Sequence, residues 1–284
     1  MLPPDAQRLI ELALAEDLAR GDVTSDAIFA ASDRSSARFN AREPLVVSGL
    51  EVLAALCAEV DQGLLFEPAV ADGDRLDEGA LIATLSGPTA ALLKAERSAL
   101  NFLSRLSGVA TLTARCVAAL GPGRTRLVDT RKTTPGWRVL EKAAVRHGGG
   151  TNHRNDLADG AMIKDNHIAA CGSLTEAVRR VREHAHHLLR VEVEVDTEAQ
   201  LDEALSAGAD VVMLDNFSNA RVAEAVERVR SVRPQTLVEI SGGVTEERLP
   251  SLQALGADLV SMGALTHAAR AVDIGLDLIR EPSA

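Results

Sequence analysis

The chain has 284 residues and a mass of 30.0 kDa, which is enough to bury the core of one large α/β domain or of a barrel with a smaller domain. Its 46% hydrophobic and 25% charged residues are typical of a folded globular protein and exclude extended disorder. A formal net charge of −11 disfavours nucleic-acid and anionic-membrane binding, and no apolar run approaches membrane-spanning length, so we expect a cytoplasmic protein.

The first hundred residues predict a small α+β domain. A helix is expected over residues 5–18, and strand-like segments follow at residues 36–49 and 79–87, separated by turns rich in Asp and Gly. A long amphipathic pattern over residues 89–120 then predicts a helix that connects this domain to the rest of the chain.

The second half alternates short apolar runs with helical patterns. Capping boxes at Ser173…Glu176 and Thr197…Gln200 mark two of the helix starts. Strand followed by helix, repeated every 20 to 30 residues, predicts a parallel sheet, either doubly wound or an incomplete barrel. The predicted strands lie within residues 125–130, 161–166, 191–196, 211–216, 237–243 and 259–263.

Positive charge is concentrated in residues 124–154, which hold eight Lys or Arg residues against two acidic ones. Such a basin in an acidic protein favours binding of a small multivalent anion. The spacing of Arg138, Lys142 and Arg146 is also typical of a solvated helix face. By contrast, the stretch "RHGGGTNHR" (146–154) places three glycines among cations and histidines, which indicates close approach of the backbone to another group.

Polar residues follow each predicted strand, where the loops of a βα barrel meet. Any one of them could be a simple turn residue, so only the whole set indicates a site. Lys164 is the most suggestive, because a lysine at the end of an apolar strand either reaches solvent or meets an anion. The segments "SGG" (241–243) and "SMG" (261–263) offer free backbone N–H groups for a phosphate. The other strand-end groups are Asp129, Thr130, Arg131, Lys132, Asp165, Asn166, Glu194, Asp215 and Asn216.

Few aromatic side chains are present to stack on a ligand, since the chain has no tyrosine and one tryptophan, Trp137. This weakens any single-stranded nucleic-acid interpretation. Because arginine pairs well with carboxylates and phosphates, a dicarboxylate together with a multiply phosphorylated compound would suit the cationic basin.

The block "DTRKTTPGWRVLEKAAVRHGGGTNHRNDLADGAMIKDNHI" (129–168) resembles the signature of quinolinate phosphoribosyltransferase, also called nicotinate-nucleotide pyrophosphorylase (carboxylating). The similarity continues through "EVEVDT", "VVMLDN" and "EISGGV" and back through "AERSALNFLSRLSGVAT", and covers nearly the whole chain. It implies an N-terminal α/β (α+β) domain and an incomplete six-stranded α/β barrel of the type II phosphoribosyltransferase kind. The implied bounds are residues 1–108 for the first domain, with 267–284 packing back on it, and 109–266 for the barrel.

The resemblance also implies a reaction: quinolinate and phosphoribosyl pyrophosphate give nicotinate mononucleotide, pyrophosphate and CO2, with Mg2+, in NAD biosynthesis. Such an enzyme is a pentosyltransferase and works as a homodimer or higher homo-oligomer with shared active sites. By this resemblance, quinolinate is bound by Arg131, His153, Arg154 and Lys164, with Arg97 reaching in from the partner chain. Lys132, near Arg131 and Lys164, contacts the pyrophosphate, and Glu194 and Asp215 bind the ribose and Mg2+. The 5′-phosphate is bound by Ser241, Gly242, Gly243, Gly263 and Ala264.

Two positions depart from the family pattern, Trp137 where an aliphatic residue is usual and Ala143 where tyrosine is expected. Neither is a predicted ligand, so they bear on packing near the site. Three alternatives stay open: a related transferase group found with molybdate transport genes, an aldolase-type lyase with Lys164 as Schiff-base lysine, and a non-catalytic anion sensor.

Overall fold

A computed structural model describes residues 2–279. Within that range, no helix is both long and apolar enough to cross a membrane. The first elements are α1 (Pro4–Leu18), α2 (Val23–Ile28), β1 (Arg34–Ala41), β2 (Leu45–Val46), α3 (Leu50–Val60), β3 (Leu65–Pro68), β4 (Arg75–Leu76), β5 (Leu81–Pro88) and α4 (Thr89–Leu120).

The remaining elements alternate between strand and helix, as predicted from the second half of the sequence. They are β6 (Arg126–Val128), α5 (Arg138–His147), β7 (Ala161–Ile163), α6 (Asp165–Cys171), α7 (Leu174–His184), β8 (Val191–Val195), α8 (Glu198–Ala207), β9 (Val211–Asp215), α9 (Asn219–Val232), β10 (Leu237–Ser241), α10 (Leu249–Leu252), β11 (Leu259–Ser261), α11 (Ala264–His267) and β12 (Ile274–Ile279), with a 3-10 turn at Gln253–Leu255.

The chain divides into two compact units, and their limits differ from the domain bounds implied by the resemblance. Among the described residues, the first unit comprises 2–114, 133–149 and 265–279, and the second comprises 115–132 and 150–264. The implied boundary at residue 108 therefore falls within α4.

The first unit contains an antiparallel sheet with strand order β12-β1-β5-β3. β12 comes from the far end of the chain and pairs with β1, from Ala41 opposite Ile274 to Ser36 opposite Ile279. The last five residues of the implied 267–284 segment, 280–284, lie outside the described residues. A second, two-stranded sheet joins β2 to β4.

Helix α5 belongs to the first unit although it follows β6 in sequence. Its Glu141 is completely buried and accepts hydrogen bonds from Arg105, at 2.7 Å, and from the Thr134 hydroxyl, at 2.9 Å. Trp137, one of the two departures from the family pattern, stacks on Phe102 with 4.8 Å between ring centroids. Lys142 is also buried, so α5 is not the fully solvated basic face that its spacing allows.

The second unit is built on a six-stranded parallel sheet in the order β6-β11-β10-β9-β8-β7. β-branched residues such as Val193, Val212 and Val238 are completely buried in the central strands. Both predicted helix starts form, and Thr197 with Gln200 makes the reciprocal capping box at α8. At α7 only the Ser173 half of the predicted box forms, because the Glu176 carboxylate pairs with Arg179 and Arg180. The predicted incomplete barrel is thus confirmed, with β6 and β7 as its terminal strands.

The free edge of β6 carries an additional stretch of chain. Thr151 bridges Val128 in parallel, donating its N–H to the Leu127 carbonyl at 2.9 Å and accepting from the Asp129 N–H at 3.2 Å. The triple glycine makes this path possible at its start, because Gly149 adopts a left-handed φ of +86° directly after α5. The residues that follow Thr151 are therefore held beside the end of β6.

Candidate active site

One cavity of about 620 Å³ lies at the carboxyl ends of the parallel strands in the second unit. Ligand sites of βα folds are expected at this end, and the volume is in the range of small-molecule sites. Ten of the predicted site residues line it: Arg131, Lys132, His153, Arg154, Lys164, Glu194, Asp215, Ser241, Gly242 and Gly243. Thr130, Met162, Met213, Asn216, Glu239 and Ser261 complete the wall.

Lys164 marks the junction between β7 and α6, and its ammonium group reaches across to the neighbouring strand. Its Nζ donates to Glu194 Oε2 at 2.8 Å, and the Lys164 side chain is 44% exposed, whereas that of Glu194 is 16% exposed. His167 Nδ1 accepts the Lys164 N–H at 3.0 Å and fixes the start of α6. Lys164 thus presents a cation to the cavity from a fixed backbone position.

Glu194 and Asp215 concentrate negative charge on one side of the same cavity. Burial raises the pKa of Asp215, and the nearby carboxylates of Glu194 and Asp196 raise it further, while Lys164 and Lys132 act in the opposite direction. A carboxylate pair under this repulsion is stabilised by a divalent cation, and Mg2+ binds typically through one or two carboxylates together with substrate oxygens. The donor set therefore fits a magnesium ion.

The glycine segment after β10 has two different steric requirements. A Cβ on Gly242 would lie 2.3 Å from Asn216 Oδ1 and 2.7 Å from Asp215 Oδ1, whereas a Cβ on Gly243 would meet no atom within 4 Å. Asn216 itself is held at φ +57° and donates its side-chain amide to Asp215 Oδ2 at 2.6 Å. Gly242 therefore makes room for the Asp215–Asn216 pair, while Gly243 leaves its backbone open to the cavity.

Asp129 anchors the segment that carries His153 and Arg154. It is completely buried, and its carboxylate accepts from Asn152 Nδ2 at 2.6 Å and from the His153 N–H at 2.8 Å. The Arg154 guanidinium donates to the Gly160 carbonyl at 2.9 Å. These bonds place two of the predicted dicarboxylate ligands on the cavity wall.

The prediction missed two buried glutamates behind His153. Glu192 Oε2 and Glu239 Oε2 each lie 3.3 Å from His153 Nε2. Burial lowers the pKa of His153, and the two carboxylates act in the opposite direction. The Arg154 N–H, however, points at His153 Nδ1 at 2.7 Å and needs a lone pair there, so we assign the neutral ring with its proton on Nε2.

A sequence signal for Glu192 was available. In "VEVEV" (191–195) residues two apart share one face of the strand, so Glu192 lies on the same face as Glu194. Glu239 is likewise preceded and followed by completely buried apolar residues, Val238 and Ile240. A glutamate between buried apolar neighbours on a central parallel strand indicates a polar barrel interior.

Three predicted site residues are absent from the set that lines this cavity. Arg97 is an exposed residue of α4 in the first unit. Gly263 and Ala264 follow β11 in the second unit and are partly buried. For these three the structure leaves the predicted roles as predictions.

Comparison with known proteins places nearly the whole chain in one family. Residues 22–107 match the model of the quinolinate phosphoribosyl transferase N-terminal domain, and residues 109–277 match that of its C-terminal domain. A Bacillus subtilis protein named probable nicotinate-nucleotide pyrophosphorylase (carboxylating) is 43% identical over 96% of this chain and 93% of its own length. The nicotinate-nucleotide pyrophosphorylase (carboxylating) of Mycobacterium leprae is also 43% identical, over 96% and 97%.

Solved structures give the same result. NadC from Streptococcus pyogenes superposes with a TM-score of 0.92 at 39% identity, covering 99% of both chains. The nicotinate-nucleotide pyrophosphorylase of Francisella tularensis gives 0.92 at 35% identity over 98% of both chains.

Proposed function

The chain belongs to the quinolinate phosphoribosyltransferase family, and from this premise we propose that it transfers a phosphoribosyl group from phosphoribosyl pyrophosphate to quinolinate. The products are nicotinate mononucleotide, pyrophosphate and CO2, and the reaction belongs to de novo NAD biosynthesis. The enzyme is accordingly a pentosyltransferase, nicotinate-nucleotide diphosphorylase (carboxylating). The observation that carries the proposal is a single cavity in which clustered cations face a carboxylate pair and an open glycine segment.

The cationic wall is the proposed quinolinate site. Arg131, Arg154 and Lys164 line the cavity and can pair with two carboxylates on a planar ring. Met162 and Met213 add apolar surface to the same wall. This surface suits a planar ring, since the protein has few aromatic side chains that could stack on it. His153 lines this wall too, but both of its ring nitrogens face protein groups.

The carboxylate pair and the glycine segment, which line the same cavity, are the proposed site of the phosphoribosyl donor. Glu194 and Asp215 would hold Mg2+ and the ribose hydroxyls, and Ser241, Gly242 and Gly243 would receive the 5′-phosphate, with Gly263 and Ala264 as further predicted contacts. When bound, Mg2+ supplies positive charge that stabilises the departing pyrophosphate. Lys132 and Lys164 add cations on the same side.

The chemistry of the residues then follows from positioning and charge. The quinolinate nitrogen forms a bond to the ribose C1 as the bond from that carbon to pyrophosphate breaks, and no side-chain nucleophile is required. The alkylated ring becomes an electron sink, so the adjacent C–carboxylate bond can break with release of CO2, and the ring carbon takes a proton. Lys164, which lines the cavity, would stabilise negative charge at that stage.

Assembly, location and partners remain predictions within the proposal. The enzyme works as a homodimer or higher homo-oligomer, in which Arg97 of one protomer enters the quinolinate site of its partner. It acts in the cytoplasm, without nucleic-acid or membrane partners. Arg97 is exposed on α4 and is thus available for such a contact.

Release of labelled CO2 from carboxyl-labelled quinolinate tests the proposal. We expect release only when phosphoribosyl pyrophosphate and Mg2+ are both present, and no turnover when nicotinate replaces quinolinate. If the folded protein releases no CO2, the transferase group associated with molybdate transport becomes the better interpretation, and its substrates should then be screened with the same phosphoribosyl donor.

A further inference from the structure

A second cavity, of about 270 Å³, lies in the barrel of the second unit and is lined by residues at the amino ends of the strands, including Val211, Leu237 and Leu259. Three residues line this cavity and the candidate active site alike: His153, Arg154 and Glu239. These side chains therefore form a partition within the barrel. Contacts that hold these three side chains in position therefore also position one wall of the proposed dicarboxylate site.

Glu239 is the least expected member of the partition. Its side chain is completely buried, and neither carboxylate oxygen makes a well-formed hydrogen bond within residues 2–279, although Oε2 lies 3.3 Å from His153 Nε2. A buried carboxylate is destabilising unless it is paired, and an apolar residue of similar volume is often better for stability. Packing alone therefore does not account for a glutamate at this position of β10.

The His153 ring is held from both of its nitrogens. Nδ1 accepts the Arg154 N–H at 2.7 Å, and the proton on Nε2 faces Glu239 and Glu192. The three side chains are spaced as metal ligands could be, but a metal-binding Nε2 would require the proton on Nδ1, opposite the Arg154 N–H. The tautomer turns the proton on Nε2 toward the two carboxylates, each 3.3 Å away, and the lone pair of Nδ1 toward the Arg154 N–H.

We propose that Glu239 is a positioning residue: it fixes the His153 ring, which holds the Arg154 backbone so that the guanidinium faces the dicarboxylate. This inference rests on the proposed function. Glu239 acts through His153 and does not touch the substrate itself. Glu192, at the same distance from Nε2, supports the ring from the adjacent position and limits the loss when Glu239 is replaced.

Three variants test the role by kinetics. In Glu239→Ala we expect the KM for quinolinate to rise about tenfold, from loss of the carboxylate that faces Nε2–H at 3.3 Å. The KM for phosphoribosyl pyrophosphate should change less than about twofold. Glu239→Gln keeps an acceptor for Nε2–H and should stay within about threefold of wild type. Val238→Ala removes buried volume from the same strand and should lower Tm without altering the ratio of the two KM values.

A double-mutant cycle shows whether the effect passes through His153. In a His153→Ala background, adding Glu239→Ala should cause little further rise in the KM for quinolinate. Equal penalties in both backgrounds would overturn the proposal, as would a Glu239→Ala enzyme whose two KM values rise together.

Ring ¹⁵N chemical shifts give a readout that does not depend on turnover. His153 is identified among the seven histidines by its absence from His153→Ala. In wild type we expect a protonated Nε2 and an unprotonated, accepting Nδ1, and in Glu239→Ala a partial shift toward the other tautomer. An unchanged spectrum in Glu239→Ala would refute the positioning role. The positioning role would also be refuted if wild type bound one equivalent of zinc and Glu239→Gln bound none. An inactive wild-type protein with the expected shifts would refute the proposed function alone.

Discussion

Replacing Gly242 by alanine tests the link between the glycine segment and the carboxylate pair. The new Cβ would lie 2.3 Å from Asn216 Oδ1 and 2.7 Å from Asp215 Oδ1. Ordinary van der Waals contact begins at 3.4 Å, so the two side chains must move by about 1 Å. They cannot move independently, because the Asn216 amide donates to Asp215 and the Asn216 N–H donates to the Ser241 carbonyl at 3.0 Å.

The expected magnitude follows from this displacement and from the backbone. A misplacement of about 1 Å in a positioned group can lower the rate about 100-fold, so kcat/KM for phosphoribosyl pyrophosphate should fall by about that factor. Alanine at φ +77° adds roughly 1–2 kcal/mol of backbone strain, which should lower Tm by about 2–8 °C.

Gly243→Ala is the matched control. Its φ of +57° imposes the same class of backbone strain, but a Cβ there meets no atom within 4 Å. We expect a similar loss of Tm and a less than about tenfold fall in kcat/KM, measured in parallel at varied phosphoribosyl pyrophosphate and Mg2+. Equal kinetic losses in the two variants, or a normal Gly242→Ala enzyme, would refute the steric argument.

The other substitutions probe the acceptor site, the strand-end lysine and the fold. Arg154→Ala should abolish quinolinate use, by at least about 100-fold in kcat/KM, while sparing Tm. Arg221→Ala removes a cation outside the cavity lining, which pairs with Glu198 and lies over the Phe217 ring, and should leave kcat/KM for quinolinate unchanged. Normal turnover in Arg154→Ala would show that the dicarboxylate site is misplaced. Lys164→Met should lower kcat about 100-fold, because Glu194 loses its cation. Borohydride with a carbonyl compound should trap no adduct on the wild-type enzyme. A trapped adduct would revive the lyase interpretation. Asp258→Asn should lower the free energy of unfolding at pH 7 by about 2 kcal/mol in denaturant titrations, since Asp258 pairs with Arg230 at 2.7 Å and with Arg124. The control Asp202→Asn, in an exposed pair with Arg228, should change the free energy of unfolding by less than about 0.5 kcal/mol. Burial raises the pKa of Asp258, but the Val238 N–H and the two arginines outweigh burial and hold the pKa below its usual 3.8. The difference in the free energy of unfolding between wild type and Asp258→Asn should therefore be constant near neutral pH and shrink as the pH falls below about 4. A difference that grows with acid would contradict the ion-pair account.

The strands and helices were predictable because their signals are local. The predictions used short apolar runs between helical patterns, the caps at Ser173 and Thr197, and polar residues at strand ends, each of which acts within a few positions of the chain. Since the carboxyl ends of parallel strands meet, this local pattern was sufficient to bring Lys164, Glu194 and Asp215 to one cavity.

What the sequence left open depends on contacts between distant segments. The membership of α5 in the first unit depends on Glu141 meeting Arg105 and on Trp137 stacking against Phe102, which no local pattern indicates. Gly242 was predicted as a phosphate contact, but its steric necessity arises from a neighbouring strand that is distant in sequence. Glu239 was overlooked because a single polar residue in an apolar run gives a weak signal until its partner, His153, is located in space.

Simultaneous measurement of all three products tests the central claim most directly. Wild-type enzyme given quinolinate, phosphoribosyl pyrophosphate and Mg2+ should release CO2 and pyrophosphate in a 1:1 ratio, about one of each per nicotinate mononucleotide formed, because one cavity holds both substrates. CO2 without pyrophosphate would identify a simple decarboxylase, and pyrophosphate without loss of quinolinate would identify a different acceptor; either result would contradict the account.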